Sequence, residues 1–183
     1  MNTKAIFIPG NSGGTPRDSW FPYVKGELEK INIIVIAKDF PDNDLARAQY
    51  WLPFIKELGA DENTILIGHS SGAVAAMRFA EENKILGSVL VSACYTDLGD
   101  EKERESNYYN KPWKWEKIKK NQKWIIQYAS TDDPWIPIKE ARFIRNKLNS
   151  EYFEYADQGH FGYPTEKKKF PEIITEIKKK LYS

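Results

Sequence analysis

The chain has 183 residues, 41% hydrophobic and 29% charged, with 27 Lys and Arg against 26 Asp and Glu. That length can bury one core without disulfides or metal staples, and the balance is that of a globular protein, not a disordered one. The near-zero net charge excludes a field strong enough to draw in nucleic acid or an anionic membrane, so partners have to be recognised locally.

In chain order, the first predicted strand runs from Ala5 to Ile8, too short an apolar run for a signal peptide. It opens into the glycine-rich loop Pro9-Gly10-Asn11-Ser12-Gly13-Gly14. Helical spacing over Trp20 to Ile31 precedes a strand at Ile33 to Ile36, and a second helix covers Arg47 to Leu58. The strand Thr64 to Ile67 leads into Gly68-His69-Ser70-Ser71-Gly72, from which a helix continues to Glu82. Further strands follow at Ile85 to Val91, Trp124 to Tyr128 and Tyr152 to Tyr155, and helices at Trp113 to Lys120, Ile138 to Leu148 and Pro171 to Leu181. Strands apolar on both faces, alternating with helices, imply one mostly parallel α/β sheet covered on both sides, a single domain over residues 1–183 with no linker or repeat. No stretch approaches the ~20 apolar residues of a membrane span, and a lone cysteine, Cys94, cannot form an internal disulfide. Both point to the cytoplasm.

In parallel α/β sheets, reactive groups gather where strands end at their carboxyl termini. Gly68 to Gly72 is a G-x-S-x-G pattern in such a place, between a strand and a helix. The turn is so tight that the serine takes a strained backbone and its flanking positions have no room for side chains. Ser70 is therefore the candidate nucleophile. Ser71 sits at the second variable position, where its N–H matters more than its hydroxyl.

A serine hydroxyl needs a base, at neutral pH usually histidine. The chain has two histidines. His69 sits on the nucleophile turn itself and is expected to pack or hydrogen-bond nearby. His160, in the loop after the strand Tyr152 to Tyr155, is the candidate base. The orienting acid belongs between the two in chain order, after Trp124 to Tyr128, where Asp132-Asp133-Pro134-Trp135 offers a pair. Asp133, directly before the Pro-Trp-Ile-Pro run, is preferred, and Asp132 reads as a turn residue. Two backbone N–H groups complete an oxyanion hole: that of Ser71 and one from the Pro9 to Gly14 loop, Asn11 before Ser12. That loop lacks the G-x-G-x-x-G spacing and the lysine of nucleotide-binding loops, so no cofactor is expected, nor any metal. This predicts a compact α/β-hydrolase fold without a large lid.

The Pro-Gly-Asn loop, Trp51-Leu52-Pro53-Phe54, Gly68 to Met77, Leu98-Gly99-Asp100-Glu101, Pro112-Trp113-x-Trp115-Glu116-Lys117, Ser130 to Pro134 and Gly159-His160-Phe161 together resemble the small serine hydrolases of the retinoblastoma-binding protein 9 family. The resemblance runs almost end to end and implies the same triad on Ser70, Asp133 and His160. The family's L-x-C-x-E motif corresponds here to Leu58-Gly59-Ala60-Asp61-Glu62, with alanine in place of the cysteine, so binding to a retinoblastoma-type partner is not expected.

The expected chemistry is cleavage of a small ester, thioester or amide through an acyl-enzyme on Ser70. The alternative is an interaction scaffold on the same fold with vestigial activity. It is disfavoured because a scaffold has no need of a strained nucleophile turn. Trp113, Trp115 and Trp135 are the candidate substrate-binding aromatics, with core packing of the extra helices as the equal alternative, Cys94 reads as structural, and the lysines near the C-terminus as a solvated helix face.

Overall fold

A computed structural model describes residues 3–164 and 166–182. Six parallel strands form one sheet in the order β2-β1-β3-β4-β5-β6: β1 (Lys4–Ile8), β2 (Ile34–Ile36), β3 (Thr64–His69), β4 (Gly87–Val91), β5 (Trp124–Ser130) and β6 (Glu151–Tyr155). The helices are α1 (Phe21–Glu29), α2 (Ala48–Glu57), α3 (Ser71–Ala80), α4 (Glu101–Glu105), α5 (Trp115–Lys120), α6 (Ile138–Leu148) and α7 (Pro171–Tyr182).

The period-two alternation of each strand divides the core into two layers. Ala5, Phe7, Ile65, Ile67, Val89, Val91, Ile126 and Tyr128 face α1 and α7. Ile6, Ile8, Leu66, Leu90 and Ile125 face α2, α3, α5 and α6. Because both faces are covered, the central strands β3 and β4 are buried along almost their whole length.

After β2 the chain crosses back over β1 to form β3, so the strand order reverses between β1 and β3. Crossovers that diverge at such a point leave a crevice at the carboxyl ends of the two strands. The Pro9 to Gly14 loop leaves β1 there and the turn at Ser70 leaves β3.

Two local features differ from the sequence reading. The run Glu101–Glu105 is a short helix capped by Asp100, whose carboxylate accepts the Glu103 N–H at 3.1 Å. Its five residues, all charged, offer no apolar face to recognise. The helix expected from Trp113 begins at Trp115, and Arg78 of α3 holds the carbonyls of the irregular segment before it. The buried guanidinium donates to the carbonyls of Tyr108 (2.7 Å), Lys111 (2.7 Å) and Pro112 (3.2 Å), pairs with Glu81 at 2.7 Å and lies 3.6 Å over the ring of Trp113. The roof segment between β4 and β5 is thus fastened to the back of α3. Among the described residues no helix is long and apolar enough to cross a membrane.

Candidate active site

The turn between β3 and α3 puts Ser70 at φ 55°, ψ −123°, a region that a residue with a side chain occupies only under constraint. Packing supplies that constraint. A Cβ on Gly72 would overlap the carbonyl oxygens of Ile8 and Pro9 at the end of β1, and one on Gly68 would overlap the carbonyl of Gly72. Both glycines let strand, turn and helix close on each other, and the Ser70 N–H is tied to the Val91 carbonyl at 2.9 Å.

His160 and Asp133, which lie in the loops after β6 and β5, meet through His160 Nδ1 at 2.8 Å from Oδ2 and 3.0 Å from Oδ1 of Asp133. Their side chains are 5% and 2% exposed. The rest of the Asp133 carboxylate is also occupied. Oδ1 accepts the N–H groups of Trp135 and Ile136, each at 3.0 Å, and Oδ2 accepts the Ser92 hydroxyl at 2.9 Å. Burial pushes this carboxyl up, but His160 and the two backbone donors outweigh it and leave it below the usual carboxylate range. Asp133 is thus held as an anion against Nδ1, and Nε2 has no hydrogen-bond partner among the described residues.

The neighbouring Asp132 points elsewhere. Its Oδ1 accepts the Ser130 hydroxyl and the Gly159 N–H, the latter at 3.0 Å, so it pins the loop that carries His160 without touching the ring. His69 serves the same loop from below: its Nε2 donates to the His160 carbonyl at 2.8 Å. Burial, reinforced by the adjacent His160, pushes the His69 imidazole down to about 3, so it is neutral at ordinary pH and packs as the sequence suggested.

Ser70 and His160 line a common cavity of about 620 Å³, which Asn11, Glu103, Trp135 and Tyr163 also border. Among the described residues Ser70 Oγ makes no hydrogen bond. The N–H groups of Asn11 and Ser71 are likewise unpaired among those residues, whereas the Ser12 N–H donates to the Asp44 carbonyl at 2.9 Å. Of the two loop candidates for an oxyanion donor, Asn11 is the one with a proton to give.

Trp135 borders the cavity, but Trp113 and Trp115 do not. They stack on each other at 5.2 Å and pack against the core layer that holds α3, with Trp113 Nε1 donating to the Tyr95 carbonyl at 2.8 Å. Of the three aromatics named from sequence, only Trp135 reaches the cavity; Trp113 lies under Arg78, and Trp115 packs against Trp113, Tyr95 and Phe143.

Three groups at the site were not singled out from sequence. Ser92, at the end of β4, holds Asp133; its place after a strand was the available signal. Tyr163 stands at the rim, and its carbonyl accepts the His160 N–H at 2.8 Å. Glu103 lies under the candidate oxyanion hole. Its Oε1 accepts Asn11 Nδ2 at 2.7 Å and the Ser71 hydroxyl at 3.4 Å, and its Oε2 accepts the Tyr109 hydroxyl at 3.0 Å. Burial raises its carboxyl above the ordinary value despite those donors. Tyr109 also meets Cys94 Sγ at 3.1 Å, and burial pushes that thiol up, which fits a structural cysteine. No group of three or more His, Cys, Asp and Glu suited to a metal ion occurs among the described residues.

The family model described as Serine hydrolase matches residues 5–179. Over 182 residues the chain is 46% identical to Serine hydrolase RBBP9 of Rattus norvegicus, covering 98% of this chain and 96% of that protein. Among solved structures, the ydeN gene product of B. subtilis superposes with a TM-score of 0.90 at 21% identity over the whole of both chains. Est1E of Butyrivibrio proteoclasticus, solved with ferulic acid bound, superposes with a TM-score of 0.71 at 16% identity, covering 96% of this chain and 86% of that one. The strained turn at the end of β3, the parallel sheet that carries it and a match along nearly its whole length agree: the chain belongs to the serine hydrolase family and has the α/β-hydrolase fold.

Proposed function

We propose that the protein cleaves a small ester, thioester or amide by forming an acyl-enzyme on Ser70, with His160 as base, Asp133 as its orienting acid, and the N–H groups of Asn11 and Ser71 as the oxyanion hole. The observation that carries the reading is the buried Asp133–His160 pair, with Nδ1 engaged and Nε2 left for the cavity shared with Ser70. In this mechanism His160 Nε2 takes the Ser70 proton as Oγ bonds to the acyl carbon. The carbonyl oxygen becomes an anion that the two N–H groups stabilise. Collapse breaks the bond to the leaving group, which takes its proton from His160. Water, deprotonated by the same imidazole, then releases the acid and restores Ser70. A single buried cysteine and the absence of any charge bias support a cytoplasmic enzyme that acts on small molecules and has no nucleic-acid partner.

An alkyl fluorophosphonate tests the reading directly. It is expected to add one phosphonyl group to Ser70, located by mass spectrometry, and Ser70→Ala should lose both labelling and ester hydrolysis while keeping its circular dichroism spectrum. Undiminished labelling of Ser70→Ala would overturn the assignment.

A further inference from the structure

The cavity rim beside His160 leaves two large aromatic side chains in water. Trp135 is 51% and Tyr163 56% exposed, although burial normally claims such rings. They stack on one another with centroids 4.7 Å apart and planes 12° off parallel. Trp135 also meets the His160 ring edge-on, at 4.7 Å and 76°. Each is fixed by a main-chain bond to the acid–base pair: the Trp135 N–H donates to Asp133 Oδ1, and the Tyr163 carbonyl accepts the His160 N–H. The stack therefore holds a set register to the imidazole.

Acyl transfer assigns a role to whatever stands in that register. The histidine that accepts the serine proton must pass a proton to the departing group, so the leaving atom lies against the free ring nitrogen. Nδ1 is taken by Asp133, and the acyl oxygen is directed to Asn11 and Ser71. The surface next to the imidazole therefore belongs to the leaving group, and here that surface is a pair of flat π faces, whose natural partner is another flat ring.

We propose that Trp135 and Tyr163 form a leaving-group subsite that selects esters or amides whose departing part is a planar aromatic alcohol or amine. The proposal rests on the catalytic reading of Ser70 and His160. The step balances as ordinary acyl transfer: Ser70 Oγ bonds to the acyl carbon, the bond from that carbon to the aryl oxygen or nitrogen breaks with its electron pair, and the serine proton reaches that atom through His160.

A leaving-group subsite acts only until the leaving group departs, and this makes it testable. Phenyl butyrate and cyclohexyl butyrate share an acyl group and differ in the planarity of what leaves. Trp135→Ala and Tyr163→Ala both keep the main-chain bonds to Asp133 and His160. Each is expected to lower the phenyl-to-cyclohexyl ratio of kcat/KM about tenfold, and Trp135→Phe should restore most of it. The deacylation rate, measured on the butyryl-enzyme common to both esters, should not follow that ratio. An unchanged ratio in both alanine variants, with Ser70 still labelled by the alkyl fluorophosphonate, overturns the subsite alone. A loss that instead follows an aromatic acyl group, read as benzyl-acid against butyryl methyl esters, also overturns it by moving the stack to the acyl side. Failure of wild-type Ser70 to label would strike the catalytic reading underneath.

Discussion

Replacing Asp133 with asparagine should disable the enzyme by a route that the hydrogen bonds specify. Two backbone donors, from Trp135 and Ile136, converge on Oδ1. An amide at this position will keep its oxygen there and turn its NH₂ to the place of Oδ2, 2.8 Å from His160 Nδ1 and 2.9 Å from Ser92 Oγ. Ser92 can respond by accepting instead of donating. At His160 the amide N–H now competes for Nδ1 with the amide oxygen, which at the Oδ1 position lies 3.0 Å away, and the tautomer in which Nδ1 accepts from the NH₂ carries the imidazole proton on Nε2. In that tautomer the nitrogen meant to receive the Ser70 proton is blocked, and in either the charge that would steady the imidazolium is gone. In another serine hydrolase the equivalent change costs ~10⁴ in turnover, or about 5 kcal/mol of transition-state stabilisation. A loss of that order is expected here in the acylation rate on an activated ester, followed by stopped flow. The fold should survive, since both backbone bonds to Oδ1 persist. Asp132→Asn, whose remaining oxygen can still accept from Gly159, should lose no more than about tenfold. Turnover by Asp133→Asn within tenfold of wild type would refute the tautomer argument, and a severe loss in Asp132→Asn alone would transfer the role to that residue.

Glu103→Ala should free Asn11 and Ser71 and lower kcat between about 10- and 100-fold with little change in KM, because one oxyanion donor alone is worth ~10²–10³; Glu103→Gln, which can still accept from Asn11, should recover most of the loss, and an effect confined to KM would sink the idea. His69→Gln should leave the pH–rate profile in place, since a group that titrates at about 3 contributes no ionisation near neutrality; a displaced profile would make His69 a participant. Because the folded His69 binds its proton less readily than an unfolded histidine, its neutral burial is favourable above ~6.5 and is lost as pH falls towards about 3, by up to ~1.4 kcal/mol per pH unit. Urea unfolding should show a shallower acid slope in His69→Gln. Gly72→Ala forces a methyl onto the Ile8 and Pro9 carbonyls and should cost about 3 kcal/mol in the same assay, whereas a neutral result would mean that the turn yields easily.

The strands and most helices could be read from sequence because their apolar spacing is dictated by one sheet with two covered faces. The strand-end rule then brought Ser70, Asp133 and His160 to one end of it. Other site features escaped for physical reasons. Glu103 and Ser92 act through hydrogen bonds to residues far along the chain, on Asn11 and on Asp133, and beyond the place of Ser92 after a strand their surroundings carry no signal. For Trp113 and Trp115 core packing and substrate contact stayed equal alternatives, because an aromatic residue type does not say which surface it faces; a buried arginine 35 positions before Trp113 covers that ring. Asp132 and Asp133 could be told apart only in preference, since adjacent carboxylates look alike until the backbone directs them to different loops.

Arg78 has a further consequence for how the enzyme can evolve and be engineered. Lifting the roof would strip a buried guanidinium of three carbonyls and of the aromatic face beneath it, a loss incurred all at once with no intermediate foothold. Entry should therefore be through a fixed doorway, with the pace of turnover insensitive to solvent viscosity beyond simple diffusion. New selectivity would then come from changing the doorposts at Pro134 to Ile136 and Gly162 to Tyr163, which bear on the cavity without sharing that anchor.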